Sequence, residues 1–130
     1  MSMDMDASPV YTKHVDLIGK AEFVRLFQEA EELGKWFSAG ELQAFSFPAN
    51  AGSLAARFLI KKRIYETLGI DKYQNETEIL NDESGKPVIK FGPRLKQTMG
   101  RKQMLTIMCS ISHSRNFATG MTIFCFEPDV

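Results

Sequence analysis

The chain has 130 residues, 44% apolar, 11% aromatic and 25% charged, enough for one ordinary globular domain and too few for two. Sixteen basic side chains balance sixteen acidic ones, so no global field favours nucleic acid or anionic lipid. No apolar run approaches the ~20 residues of a membrane-spanning helix, and the start Met1-Ser2-Met3-Asp4-Met5-Asp6 is acidic where a secretory signal is basic, which points to a soluble, cytoplasmic protein.

Residues 1–12 carry Met, Asp, Ser and Pro with no repeating apolar face and read as a flexible tail before a single domain over 13–130. The apolar, β-branched run His14-Val15-Asp16-Leu17-Ile18 predicts a strand or extended segment. Phe23, Val24, Phe27, Ala30 and Leu33 then recur at helical spacing, with Gly34 as the stop. Ser38-Ala39-Gly40-Glu41 reads as a capping box opening a short helix through Leu42 and Phe45, and residues 47–52 as a loop. Ser53 is placed to cap a third helix reaching Leu68: Leu54, Phe58, Tyr65 and Leu68 fall within one apolar face, and Gly69 takes the position after the last turn.

The second half reads as strands. Residues 77–80 and 87–91 flank the turn Asn81-Asp82-Glu83-Ser84-Gly85 as a hairpin, and residues 93–100 form a short helix. Residues 105–112 and 118–126 alternate apolar and polar positions around His113-Ser114-Arg115-Asn116, the pattern of a second hairpin. Helices first and strands later favour an α+β fold, with helices packed on a small, mainly antiparallel sheet. Cys109 and Cys125 fall on these strands and read as small buried hydrophobes of a reducing compartment rather than a disulfide.

Three groups of residues could carry chemistry. Arg57, Lys61, Lys62 and Arg63 form a basic cluster in which Arg57 and Lys61 lie one turn apart on a common face; phosphate suits such a pair, and a solvated helix face is the bland reading. Lys62 projects close to the apolar face and has Glu66 four residues on as an ion-pair partner. Asp16, amid Val15, Leu17 and Ile18, needs a cation, a metal or backbone donors, since an unpaired carboxylate there is costly. Ser110-Ile111-Ser112-His113-Ser114 gathers hydroxyls and an imidazole at a strand end; it suits phosphate oxygens or a plain polar turn better than a nucleophilic triad, for which no acidic partner is evident. The histidines and cysteines lack zinc-site spacing, and there is no phosphate-binding glycine loop.

In order, Val15-Asp16-Leu17, Trp36-Phe37-Ser38-Ala39-Gly40-Glu41-Leu42, Ala56-Arg57-Phe58-Leu59-Ile60-Lys61, Leu68-Gly69, Gly85-Lys86-Pro87 and Ser110-Ile111-Ser112-His113-Ser114 resemble the small bacterial holo-acyl-carrier-protein synthases of the 4′-phosphopantetheinyl transferase superfamily. The resemblance covers residues 14–126. It implies that fold and an enzyme that moves the phosphopantetheine arm of coenzyme A onto a serine of an acyl carrier protein, with magnesium on the pyrophosphate. It further implies a homotrimer with coenzyme A sites between neighbours, and no nucleic-acid or membrane partner. By the same resemblance Asp16 is the metal ligand, and Asp16, Lys61, Lys62 and His113 are the catalytic positions. Arg57, Lys61, Glu66 and Gly69 contact coenzyme A, as do Lys86, Pro87 and the run Ser112, His113 and Ser114.

Two positions depart from the family pattern. Where the family continues Lys-Glu, with the Glu as second metal carboxylate, this chain has Lys61-Lys62, and Glu66 stands where the family often has Lys. The exchange moves a carboxylate by one turn, about 6 Å at 1.5 Å per residue. Three outcomes are open: Glu66 reaches the metal, Lys62 replaces it as a fixed cation, or the site is inactive and the chain is a coenzyme A-binding or structural module. The helix after Asp16, moreover, offers Glu22, Glu29, Glu31 and Glu32 against Lys20 and Arg25, a poor match to an acidic carrier.

Overall fold

The computed structural model describes residues 10–100 and 105–126. Strand β1, Val10–Gly19, pairs antiparallel with β5, Phe117–Phe126, which pairs antiparallel with β4, Leu105–His113, giving the order β1-β5-β4. A separate hairpin joins β2, Thr77–Asn81, to β3, Pro87–Phe91. The expected α+β architecture is thus observed. The strand after the tail is longer than its sequence signal, because pairing with β5 carries β1 back to Val10; the rest of the expected tail, residues 1–9, lies outside the described residues.

On β5, Ala118, Gly120, Thr122 and Phe124 are buried at every second position, so one face of the sheet is dry. Helix α4, Ala51–Leu68, lies on that face, and Leu54 through Lys61 are all buried, a run longer than two turns. A helix covered on all sides is the centre of a core rather than its lid. Glycine makes the close packing possible: a Cβ at Gly120 would stand 2.9 Å from the Ala56 carbonyl oxygen and 3.0 Å from Ile60 Cγ1. The helix begins at Ala51, ahead of the expected cap Ser53, and it ends as expected at Gly69, whose φ of 69° is left-handed.

The helix expected from Phe23 to Leu33 is two helices, α1, Lys20–Leu26, and α2, Ala30–Trp36, and Gly34 lies inside the second. On one continuous helix Trp36 would fall about 140° from Phe23 at ~100° per residue. The break at residues 27–29 rephases it, so that Trp36 packs on Phe58 with centroids 5.0 Å apart while Phe23 and Phe27 meet at 4.8 Å. Helix α3, Ala39–Ala44, opens with the expected capping box: Ser38 Oγ accepts from the Glu41 N–H, and Glu41 Oε1 accepts from the Ser38 N–H. A short helix α5, Pro93–Met99, follows β3, and Leu95 seals the cluster of Ile60, Ile64, Ile79 and Phe124. Cys109 and Cys125 are free thiols. Facing Thr122 and Thr106 in the register, they sit on opposite sheet faces.

Candidate active site

Arg57 and Lys61 share one face of α4, as their spacing predicts, but that face is the buried one, at 2% and 0% exposure. Arg57 donates to the Ile79 carbonyl at 2.7 Å, the Ser53 carbonyl at 3.1 Å and Asn81 Oδ1 at 3.1 Å, with its guanidinium 3.9 Å above the Phe45 ring. Lys61 donates to Glu41 Oε1 at 2.5 Å and the Trp36 carbonyl at 2.7 Å, and Glu41 Oε2 accepts from the Ile79 N–H. Neither is a solvated surface cation, because each arrives with its polar partners supplied by α2, α3 and β2. Burial pulls the Lys61 ammonium down to about 8, against the opposing pull of Glu41.

The start of α4 borders a cavity of about 400 Å³ lined by Ser53, Arg57, Asn81, Pro87, Ser112 and His113, with Gly85 and Ile111. Three hydrogen bonds leave Arg57 two of its five N–H donors. Ser112 and His113 stand exposed at the end of β4. Gly52 gives His113 its place, since a Cβ there would lie 2.8 Å from the imidazole Nδ1 and 2.7 Å from Lys20 Cε. The cavity therefore collects hydroxyls, an amide, an imidazole and a guanidinium, a donor-rich lining suited to phosphate oxygens. Lys86 and Ser114 are exposed on the flanking turns; the Lys86 N–H donates to Asp82 Oδ1 and the Ser114 N–H to the Phe117 carbonyl.

Asp16 belongs to a second group. Its two oxygens accept from Arg63 Nε at 3.1 Å and Nη2 at 2.6 Å, a two-bond fork with the side chains 21% and 29% exposed. Lys62, the residue before Arg63, and Glu66 are exposed. Lys62 was expected close to the apolar face; full burial of the face bearing Arg57 and Lys61 turns it to solvent instead. Gly69 closes the same end of α4, with open space where a Cβ would be.

The expected site residues thus divide. Arg57, Pro87, Ser112 and His113 gather at the start of α4, whereas Asp16 is held by Arg63 in the second half of α4, which also carries Lys62 and Glu66 and ends at Gly69. Arg57 and Arg63 are six residues apart on the helix, about 9 Å at ~1.5 Å per residue, and about 120° apart around it at ~100° per residue. Sequence reasoning gave Arg63 no role of its own and did not link Glu41 to Lys61, because both pairings span long stretches of chain. Ser53, Asn81 and Gly120 were also missed as site-forming residues, and no local pattern marks them.

A divalent cation at Asp16 was the expectation, and the residues present do not fit one as they stand. Both carboxylate oxygens are engaged by Arg63, and the preceding helix position, Lys62, offers an ammonium rather than a carboxylate. Among the described residues no group of three or more His, Cys, Asp or Glu side chains could hold a metal ion.

No protein-family model matches the chain. It is 32% identical over 121 residues to a holo-acyl-carrier-protein synthase of Chlorobaculum tepidum, spanning 85% of this chain and 94% of that protein. A similarly named protein of Protochlamydia amoebophila is 35% identical over 75 residues, which cover 55% of this chain and 59% of that protein. Among solved structures, the ACPS–CoA complex of Chronobacterium ammoniagenes superposes with a TM-score of 0.74 at 19% identity over 92% of this chain and 99% of that one. The holo-acyl-carrier-protein synthase of Neisseria meningitidis does so with 0.70 at 21% identity over 86% and 95%. These superpositions establish the expected fold.

Proposed function

The chain belongs to the holo-acyl-carrier-protein synthase family, and from that premise we propose how its residues move the 4′-phosphopantetheine arm of coenzyme A onto a carrier-protein serine. In this reaction the serine oxygen bonds to the phosphorus bearing the arm and the bond from that phosphorus to the bridging oxygen breaks. Adenosine 3′,5′-bisphosphate leaves, and the serine proton passes to a base. The nucleophile comes from the carrier, so the enzyme's task is to hold the phosphates and offset the charge growing on the leaving group.

The observation that carries this assignment of residues is the cavity of Ser53, Arg57, Asn81, Ser112 and His113, whose donors suit the phosphates of coenzyme A. Lys61 acts behind it: its bond to Glu41 fixes α3 and β2 and so the Ile79 carbonyl and Asn81 amide that aim Arg57. Lys86 and Ser114, on the flanking turns, and Gly69, at the far end of α4, are the outlying contacts.

Two groups about 9 Å apart along one helix and on different faces of it do not make one pyrophosphate site within one chain. A homotrimer resolves this by facing the His113 group of one copy to the Asp16 group of the next. A second observation supports such an assembly: β1 exposes Val15 at 61% and Leu17 at 63% on the sheet face away from α4, with Met108 of β4 at 45% on the same side. The described residues contain no helix long and apolar enough to cross a membrane. Coenzyme A and a carrier protein as substrates support a cytoplasmic location.

The test is intact-mass analysis of an apo carrier protein incubated with coenzyme A and this protein, with calorimetric titration of coenzyme A in parallel. Transfer is expected, and His113→Ala, at an exposed position, is expected to weaken coenzyme A by about tenfold, the scale of one lost hydrogen bond to a charged group. Lys62 favours a second reading, a silent coenzyme A-binding module, which binding without transfer to any carrier would establish.

A further inference from the structure

The misfit of a divalent cation at Asp16 has an internal explanation. Asp16 pairs in register with Gly120, where a Cβ would stand 2.9 Å from the α4 backbone at Ala56. From Ile60, in contact with that glycine, one helical turn leads to Arg63, which closes on the carboxylate with two parallel bonds. Those bonds use two of the five guanidinium N–H donors, leaving three at a side chain that is 29% exposed. Lys62, the adjacent residue, is exposed as well.

Charge counting agrees with this geometry. The two carboxylates of the family pattern with one divalent cation carry no net charge, and Asp16 and Glu66 with Lys62 and Arg63 carry none either, as two cations against two anions; Glu66 acts electrostatically on Arg63. A guanidinium fork also does what a lone ammonium cannot, binding two phosphate oxygens in one plane. Being always protonated, it needs no ion from solution. The Asp16 bonds raise the Arg63 pKa further from neutrality. They also hold its long side chain in place before substrate arrives, which removes part of the ordering cost of binding.

We propose that Arg63, clamped by Asp16 and flanked by Lys62, takes the place of a divalent metal, so that this chain grips the pyrophosphate of coenzyme A without magnesium. Asp16 is then a positioning residue for Arg63 rather than a metal ligand. The proposal rests on the coenzyme A reading given above.

The experiment is calorimetric titration of coenzyme A into the full chain with EDTA or with excess magnesium, alongside titration of manganese followed by the paramagnetic resonance signal of the free ion. The native chain is expected to bind coenzyme A equally in both media and to leave manganese free. Arg63→Gln is expected to lose about tenfold in affinity in EDTA and to recover part of it with magnesium, because Asp16 is released. Arg63→Lys should fall between the two. Lys62→Gln, at an exposed position that cannot unfold the chain, should weaken binding in EDTA as well. Native binding about tenfold tighter in magnesium, or manganese retained by the native chain with coenzyme A, overturns the proposal and leaves the coenzyme A reading standing. No binding in either medium overturns both.

Discussion

Lys61 donates to Glu41 across 2.5 Å with neither side chain exposed, so that the centre of the fold is held by two residue types that interiors normally exclude. The carboxylate also accepts from the N–H groups of Ser38 and Ile79, joining α3, α4 and β2 at one point.

Removing one partner leaves the other charged, buried and uncompensated. Glu41→Gln is expected to cost about 3–5 kcal/mol, and Lys61→Met a similar amount. The double variant should be more stable than either single change, which urea unfolding of the four proteins measures; additive losses would show that the pair is not coupled.

Gly120→Ala places a methyl 2.9 Å from the Ala56 carbonyl oxygen, backbone that cannot swing away. The expected loss is about 1–3 kcal/mol. Because the shift would carry Arg63 away from Asp16, coenzyme A affinity should fall in the same variant; an unchanged unfolding midpoint would show that α4 has room to move.

Alkaline stability should report Cys109. Burial pushes its thiol from 9.0 up to about 11, so between those values the unfolded chain has lost a proton that the folded chain keeps. Fewer protons in the unfolded state mean that stability falls as pH rises through this window. Lys61, lowered from 10.5 to about 8, acts in the opposite sense, so the comparison is between proteins: Cys109→Ala is expected to show a more positive slope of unfolding free energy between pH 9 and 11 than the native chain.

Exchanging the two signs, Lys62→Glu with Glu66→Lys, puts a carboxylate next to Arg63 at the family's position and moves the ammonium one turn along α4. Magnesium is expected to raise transfer by the double variant by about tenfold, the lower end of what one change in a metal's surroundings does. Intact-mass rates across a magnesium series measure it; an indifferent variant would show that Arg63 alone excludes the ion.

A lysine at Val15 puts a charge on the open sheet face, midway along the edge strand β1. Val15→Lys is expected to sediment as a monomer, to remain folded because the position is 61% exposed, and to lose transfer because no neighbour completes its site. A native chain that sediments as a monomer and still modifies its carrier would refute the composite site.

Much of this molecule is legible locally. The capping box at Ser38 and Glu41, the helix ending at Gly69 and both hairpins depend on contacts between near neighbours, and propensity and alternation report such contacts directly. The division of one expected helix into α1 and α2 was not legible, because the preference for a break comes from Trp36 reaching Phe58, a contact made only after α4 is in place.

The candidate site divides in the same way. Residue identity sets which side chains are available, and the order of the Asp16, Arg57-to-Lys61 and Ser112-His113 segments was enough to point to the family. Tertiary structure decided their partners. Lys61 meets Glu41 from 20 residues away and Arg63 meets Asp16 from 47, and no periodicity records a pairing at such separation. The physical reason is that a charge's role depends on what neutralises it. Spacing along a helix fixes the direction in which a side chain leaves, whereas the burial and the counter-charge it meets depend on how close α4 lies to the sheet, a distance set here by the missing side chain of Gly120.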